Sequence, residues 1–196
     1  MISLKVTNLL QSVLKQHNSL KSRDLWAYVA IAFNKVDQER LKLVGPDRMC
    51  AEWVLKNGGA VSFVQAPGRL LQDYNLLPPP STRVQIKEID ATDSSIMKLG
   101  MEHLKSCQHI DRVILNRCKH LESDGLSGLT HIKNTLKHLQ ISSCYNIDDQ
   151  GLMVLKELTQ LKNLLMFDLP AVKDLDKVIN EIKPNLKDCT IKTKEE

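Results

Sequence analysis

The side chains of this sequence that could do chemistry are histidines, cysteines, serines and a short acidic segment. Five histidines fall within a stretch of 36 residues and could hold a metal ion or transfer protons: His103, His109, His120, His131 and His138. Their spacing matches no ligand set such as H-E-x-x-H, and no acidic residue joins them in a recognisable motif. We therefore interpret all five as surface histidines on loops.

Nucleophilic side chains are present without the partners that would activate them. Ser142 and Ser143 precede Cys144, but no histidine and acid are arranged to make one of them a nucleophile. The five cysteines contain no C-x-x-C pair, so they support neither a zinc ribbon nor a thioredoxin-like site. Their odd number is typical of structural thiols in a reducing compartment. We predict no catalytic residue and no enzymatic activity.

The segment Asp90-Ala91-Thr92-Asp93 brings two carboxylates close together in the sequence. Short polar side chains of this kind commonly shape a turn or cap a helix through their oxygens. A hard cation such as magnesium could use the same oxygens. From the residues alone, both interpretations of Asp90 and Asp93 stay open.

An internal repeat must position these residues. Residues 110–121 carry apolar side chains and a cysteine at positions that recur 26 residues later, in residues 136–147. The match continues through Gly125 and Gly151, and a third copy at residues 161–172 is one residue out of step. A period in the twenties with L-x-x-L-x-L spacing is typical of leucine-rich repeats. Such arrays build partner-binding surfaces more often than active sites.

Each repeat predicts one short strand followed by one helical segment. Leu139 and Ile141 are two residues apart and therefore face the same side of a strand. The apolar residues from Leu152 to Leu161 recur every third position, which indicates a helical face. Stacked units can close a core that one unit cannot. The Cys118 and Cys144 positions are predicted to be buried. We expect an α/β protein with about four such repeats in residues 84–196.

The same register predicts which strand residues point away from the core. It places Ile114, Gln140 and Leu165 in one lateral row, and Asn116, Ser142 and Phe167 in the next; Arg112, His138 and Asn163 form a third. Ile114, Leu165 and Phe167 would then be apolar on an uncovered sheet face, and such a patch often marks a partner-binding site. The alternative is a terminal helix folded over this face.

The residues before the repeats predict a mostly helical N-terminal domain over residues 25–83. A helical segment is expected at 24–44, within which Asp37 starts a second short stretch. The next helix is expected to start at Pro46 or Asp47 and to stop at 57–59. A strand at 60–64 and a turn at Pro67-Gly68 follow. Three prolines at 78–80 indicate a linker. The first repeat is expected to place Lys87, Ile89 and Thr92 in the positions that Val113, Leu115 and Cys118 occupy 26 residues later.

Residues 1–24 predict a mitochondrial transit peptide. Residues 1–23 contain no Asp or Glu, carry four basic residues and four serines, and have a roughly helical apolar spacing. An ordinary surface helix would show a similar spacing. The formal net charge of +4 is mild and the basic residues are dispersed, so the composition does not indicate nucleic-acid binding. No apolar run approaches the ~20 residues of a membrane-spanning helix.

A series of short motifs closely resembles one known family. The motifs are Asn34-Lys35-Val36-Asp37, Val44-Gly45-Pro46-Asp47-Arg48, Glu52-Trp53, Asp73-Tyr74-Asn75 and Ile89-Asp90-Ala91-Thr92-Asp93-Ser94. In this order they are similar to the mitochondrial coupling factor B family, also called ATP synthase subunit s. The resemblance covers about residues 25–190. Part of the pattern is shared with the leucine-rich assembly factor of the distal membrane arm of respiratory complex I, which is the alternative.

The resemblance implies a function that composition does not show. It implies a non-enzymatic factor on the matrix side of the mitochondrial inner membrane, bound peripherally to the membrane sector of ATP synthase and supporting coupled proton conduction. The alternative family would instead bind a respiratory-complex assembly intermediate. The resemblance also implies a magnesium ion on main-chain oxygens at Gly58 and Thr92. One departure is clear: the family's C-x-C pair reads Asn116-Arg117-Cys118 here.

Overall fold

The computed structural model of the protein describes residues 22–194, with side chains from residue 28 onward. Three helices open this part: α1 (Ser22–Asn34), α2 (Gln38–Val44) and α3 (Pro46–Lys56). Asp37 starts α2 as predicted, because its Oδ1 accepts a hydrogen bond from the Arg40 backbone N–H at 3.0 Å. The predicted transit peptide, residues 1–24, lies almost entirely outside the described residues.

The start and the end of α3 follow from local sequence. Pro46 occupies the first turn, where its missing N–H has no intrahelical partner to lose. The helix stops at Asn57, and Gly58 follows with φ of +88°, a left-handed conformation that glycine adopts without strain. Between these ends α3 buries most of its side chains, including Cys50, Trp53 and Val54. Both predicted ends of this helix are confirmed.

A buried asparagine joins α1 to α3 and to the first repeat. Asn34 is fully buried, and its amide nitrogen donates to Asn57 Oδ1 and to the Ser95 carbonyl, both at 3.0 Å. Its Oδ1 accepts from Trp53 Nε1 at 3.1 Å and from the Met97 backbone N–H at 2.9 Å. With its polar atoms satisfied, a buried amide of this kind fixes one arrangement of three segments.

A hairpin connects the helices to the repeats. Strands β1 (Ala60–Phe63) and β2 (Ala66–Leu71) pair antiparallel, and a 3₁₀ turn at Tyr74–Leu76 follows. The prediction of a turn at Pro67-Gly68 is wrong, because both residues lie inside β2. The strand tolerates Pro67 because β2 is the edge of the sheet, where a missing N–H costs no ladder hydrogen bond.

The repeats form the rest of a seven-stranded sheet with the order β2-β1-β3-β4-β5-β6-β7. Its other strands are β3 (Ile86–Asp90), β4 (Arg112–Asn116), β5 (His138–Ser142), β6 (Asn163–Phe167) and β7 (Thr190–Lys192). From β3 to β7 every pairing is parallel, whereas β1 pairs antiparallel with both neighbours. The predicted α/β architecture, a helical N-terminal region followed by strand–helix units in a short solenoid-like arrangement, is confirmed.

The helical halves of the repeats are mainly 3₁₀ rather than α. They are the 3₁₀ segments Lys98–Leu104, Ser123–Ile132, Met153–Glu157 and Lys183–Asn185, together with the short helices α4 (Asp149–Leu152) and α5 (Leu175–Ile182). The three-residue spacing of Leu126, Leu129 and Ile132 matches the three residues per turn of a 3₁₀ helix, so all three side chains are buried on one face.

The repeat lengths differ between units. Val113 pairs with Leu139 and Leu139 with Leu164, which confirms the predicted offsets of 26 and then 25 residues. The first offset was predicted wrongly, because Ile89 pairs with Val113, 24 residues later. Ile89, rather than Lys87, therefore occupies the inward position equivalent to Val113. The Nζ of Lys87 forms an ion pair with Asp111 at 2.6 Å.

The core is a continuous stack of aliphatic side chains between the sheet and the 3₁₀ segments. The inward residues of each parallel strand pack on the inward residues of the next, so each unit covers its neighbour. Across residues 22–194, no helix combines the length and the apolar character needed to cross a membrane.

Candidate functional site

The sheet face opposite the core is the first candidate site, and we call its outward residues on β4, β5 and β6 the outer sheet face. The predicted lateral rows are confirmed: Ile114 pairs with Gln140 and Gln140 with Leu165, while Ser142 pairs with both Asn116 and Phe167. Strand alternation produces this arrangement, since the residues between them face the core and are buried.

The outer sheet face carries apolar side chains that are not part of the core. Ile114, Leu165 and Phe167 are partly exposed, and none belongs to the hydrophobic cluster between the sheet and the 3₁₀ segments. The C-terminal helix α5 packs against α4 and the 3₁₀ segments, and so does not cover these residues. Their role in binding a partner stays a prediction.

Polar side chains between the apolar ones are held by hydrogen bonds. The Ser142 hydroxyl, fully buried, donates to Asn116 Oδ1 at 3.0 Å and accepts from Gln140 Nε2 at 2.9 Å. In the third row, Asn163 Nδ2 lies 3.0 Å from His138 Nδ1. These bonds restrict the rotamers beside Ile114, Leu165 and Phe167, so a partner would meet a partly ordered surface.

A row of left-handed residues borders the outer sheet face, and the sequence did not reveal it. Asp93, Arg117, Ser143 and Asp168 each follow a strand, with φ between 50° and 56°. Their N–H groups extend the parallel ladder, as when Arg117 donates to the Ser142 carbonyl at 3.0 Å. The only signal available in the sequence was a polar residue at the same place in each repeat.

The two cysteines of the repeats are buried and equivalent, as predicted. Cys118 Sγ lies 3.2 Å from the Ala91 carbonyl and Cys144 Sγ lies 3.5 Å from the Leu115 carbonyl, each contacting the preceding repeat. A hydrogen bond with Cys144, and then burial, raise the pKa of Cys118 above its usual range. A thiol with a raised pKa is a poor nucleophile, so this position is structural.

One histidine departs from the surface interpretation. His103 is buried, and its ring stacks on Trp53 with centroids 5.2 Å apart and an angle of 8° between planes. Burial lowers its pKa to about 4, and the nearby backbone groups of Asn34 and Lys35 oppose this only in part. The prediction of a surface position is therefore wrong for His103, because its ring fills the space beside Trp53. His109 and His120 are exposed.

Gly58 and Thr92 lie just beyond the last pair of the antiparallel β1–β3 ladder, in which Ala60 pairs with Asp90. Asp90 Oδ1 accepts from the Thr92 backbone N–H at 2.9 Å, which shows that this segment is a turn. Within residues 22–194, neither the Gly58 nor the Thr92 carbonyl accepts a hydrogen bond, so both are free to bind a hard cation.

No side-chain metal centre accompanies this pair in the described part of the chain, where no three His, Cys, Asp or Glu residues cluster. Any ion at Gly58 and Thr92 would thus depend on main-chain oxygens and water. That donor set suits magnesium, which prefers oxygen ligands and usually keeps several waters. The residues fit such an ion, and its presence remains a prediction.

Comparison with known proteins gives the family. No protein-family model matches the chain. Mitochondrial ATP synthase subunit s from Homo sapiens is 37% identical over 192 residues, covering 96% of each chain. The protein of the same name from Rattus norvegicus is 40% identical over 93% of this chain and 94% of its own, and that from Bos taurus is 35% identical over 96% of both. With this identity along nearly its whole length, the chain belongs to the mitochondrial ATP synthase subunit s family.

Proposed function

We propose that this protein is a non-enzymatic coupling or regulatory factor of mitochondrial ATP synthase. It acts through protein–protein contacts with the membrane sector, on the matrix side of the inner membrane, and supports coupled proton conduction. The names of the relatives support the association with ATP synthase rather than with a respiratory complex.

The observation that carries this proposal is the outer sheet face. Ile114, Leu165 and Phe167 lie beside hydrogen-bonded polar groups, without contributing to the core. Apolar anchors within a polar surround are typical of protein interfaces, and a large aromatic is a common dominant contact. The role needs no reacting group, which agrees with the structural use of Cys118 and the burial of His103 in the core.

The experiment is affinity purification from mitochondria solubilised in mild detergent, followed by mass spectrometry. We expect ATP synthase membrane-sector subunits to co-purify with the tagged protein, and fewer of them with Phe167→Ala. A preparation that instead enriches respiratory complex I subunits would refute the proposal in favour of an assembly factor. Proton leak should be measured in parallel in inner-membrane vesicles depleted of the protein and then resupplied with it.

We further propose that magnesium binds at the main-chain oxygens of Gly58 and Thr92. Two observations support this placement: both residues lie just beyond the same end of the β1–β3 ladder, and neither carbonyl accepts a hydrogen bond within residues 22–194. The ion would connect the end of α3 to the first turn of the repeats. It would therefore stiffen the junction between the helical region and the solenoid.

A further inference from the structure

A single buried carboxylate organises the helical region. Glu52 of α3 has a side chain only 1% exposed. Arg40 of α2 reaches it with both Nη2, 2.6 Å from Oε1, and Nε, 3.2 Å from Oε2. Arg48 Nε lies 3.0 Å from the same Oε1. Burial alone would raise the pKa of Glu52, but hydrogen bonds from Arg40 and Arg48 outweigh it and keep the carboxyl ionised.

A third cation completes the cluster at the protein surface. Lys56 Nζ is 4.0 Å from Glu52 Oε2, too far for a hydrogen bond, and lies 5.4 Å from the centre of the Tyr74 ring. Burial, and then repulsion by Arg40, lower the pKa of Lys56. Its side chain is 32% exposed and that of Arg40 is 30% exposed, so solvent reaches both.

The charges of this cluster do not balance. In the part of the chain that the structure describes, Glu52 is the only carboxylate within 4 Å of Arg40, Arg48 or Lys56. Three positive charges therefore share one negative charge. Asp37 is the next acid, and it is engaged in capping α2. Even if Asp37 is included, the cluster has an excess of one positive charge.

Hydrogen-bond donors are also left over. Arg48 Nη1 donates to the Pro78 carbonyl, which fastens the proline linker to α3. Within residues 22–194, Arg40 Nη1 and Lys56 Nζ donate no hydrogen bond. Arg40 Nη1 is not a buried atom, so a ligand in solvent can reach it. The Tyr74 hydroxyl is not available in the same way, because it faces Glu52: burial, and then the Glu52 carboxylate, raise the pKa of this hydroxyl. Its ring is half-buried beside the Lys56 ammonium group.

We propose that Arg40 and Lys56 form a binding site for a phosphate group. Arg40 offers planar guanidinium donors and Lys56 a point charge, two kinds of group that bind phosphate oxygens. Glu52 contacts both side chains, and the Tyr74 ring lies beside the Lys56 ammonium group, so the ligand would not have to order them. The phosphate belongs either to a free phosphorylated molecule or to a phospholipid headgroup. The site is independent of the outer sheet face.

The first test uses inorganic phosphate as the probe and the full chain as the protein. Isothermal titration at low ionic strength should show saturable one-site binding. Lys56→Gln should weaken it about ten-fold, the effect of losing one charge-assisted hydrogen bond. Lys42→Gln is the matched control, because it removes the same charge from an exposed lysine of α2 that pairs with Glu39. Phosphate affinity should be unchanged in Lys42→Gln.

Two results would overturn the proposal. One is the absence of saturable phosphate binding by a protein whose circular dichroism and melting temperature are normal. The other is equal weakening by Lys56→Gln and Lys42→Gln, which would show diffuse charge screening instead of a site. Lys56→Arg guards against misfolding of the glutamine variant, since it keeps the positive charge. It should bind phosphate nearly as tightly as the unmodified protein, and a loss as large as that of Lys56→Gln would remove Lys56 from the site.

A second arm identifies the source of the phosphate. The protein is sedimented with phosphatidylcholine vesicles that contain or lack phosphatidylglycerol. If a headgroup is the ligand, binding should require phosphatidylglycerol, fall in Lys56→Gln and be displaced by inorganic phosphate. If phosphate binds but the vesicles do not, the ligand is a free phosphorylated molecule. Vesicle binding that Lys56→Gln leaves intact would contradict the assignment to a headgroup.

Discussion

Arg117 holds Asp93 through two parallel hydrogen bonds, from Nε to Oδ1 at 2.8 Å and from Nη2 to Oδ2 at 2.7 Å. The hydrogen bonds from Arg117 lower the pKa of the Asp93 carboxyl, and both side chains are well exposed. Both residues have left-handed backbone. The pair therefore joins the turn after β3 to the turn after β4, at two residues that both have positive φ.

The left-handed row predicts an unusual substitution pattern at Ser143. Ser143→Val should destabilise the protein by about 1–2 kcal/mol, because a β-branched residue tolerates positive φ poorly. Ser143→Asn should cost much less, since asparagine adopts this conformation more readily. Both variants remove the hydroxyl that donates to Asp168 Oδ2 at 2.7 Å, so the comparison isolates the backbone effect. Urea denaturation measures it, and equal stabilities would contradict it.

The outer sheet face predicts that two phenylalanines respond differently. Phe167→Ala should weaken association with the ATP synthase and leave the melting temperature nearly unchanged. Phe63→Ala is the control, because Phe63 is also half-buried but packs against the core. That variant should lose stability, by less than the ~3–5 kcal/mol typical of fully buried phenylalanine. Co-purification and thermal denaturation together test this. A stable Phe167→Ala protein that still co-purifies normally would refute the contact role.

The cysteine environments predict slow alkylation of the folded protein. Four cysteines are buried and Cys189 is partly exposed. N-ethylmaleimide should therefore modify Cys189 first, and the other four only after denaturation, as mass spectrometry of intact protein would show. Rapid labelling of Cys118 or Cys144 would contradict the structure. Cys144→Ser should also destabilise more than Cys144→Ala, by roughly 1–3 kcal/mol if the hydroxyl finds no partner.

The buried His103 predicts that the folded protein loses stability as the pH is lowered. Its pKa is about 4 in the folded protein, against 6.5 for an ordinary histidine. Between these values the unfolded chain binds the additional proton, so stability is lost as pH falls from 6.5 toward 4. At pH 5 the loss should be about 1–2 kcal/mol. His103→Phe keeps a ring beside Trp53 without a titrating group. In urea denaturation at pH 7.5 and 5, it should show a smaller difference than the unmodified protein.

The proposed main-chain magnesium site predicts that magnesium affinity depends little on the threonine side chain. Thr92→Val should bind magnesium with nearly unchanged affinity, because the proposed ligand is a carbonyl oxygen. Asp90→Ala should weaken binding, since Asp90 Oδ1 holds the Thr92 N–H in the turn. Calorimetry with millimolar magnesium chloride measures both affinities. The absence of any binding heat from the unmodified protein would remove the site.

The repeats were predictable because their signal is periodic. The offset from Val113 to Leu139 could be read directly from the aligned apolar residues, and it fixed which side chains point outward. The first repeat was misread because its offset of 24 differs from the 26 of the next. Its apolar positions are also sparse, so nothing in the sequence located Ile89 opposite Val113. The turn at Pro67 was misplaced because proline favours both turns and edge strands.

Features that depend on tertiary contacts could not be predicted. His103 is polar and lies between Glu102 and Leu104 in the sequence, and only packing against Trp53 reveals that it is buried. In the cluster around Glu52, the four-residue spacing of Arg48, Glu52 and Lys56 is visible in the sequence. The contacts of this cluster with Arg40 of α2 and with the Pro78 carbonyl depend on tertiary packing and leave no spacing pattern. The magnesium site that we propose at Gly58 and Thr92 rests on family resemblance, because main-chain ligands leave little trace in side-chain identity.

The two ends of the sheet also disfavour the addition of strands from a second molecule. A parallel stack could in principle continue from one copy of the protein into the next, strand upon strand. At one end, Pro67 leaves a gap in the N–H groups of β2 and so interrupts any strand laid against it. At the other end β7 has only three residues, the last of them Lys192. Both ends thus disfavour the stacking of many copies into a fibre, so the sheet stays limited to the strands of one molecule.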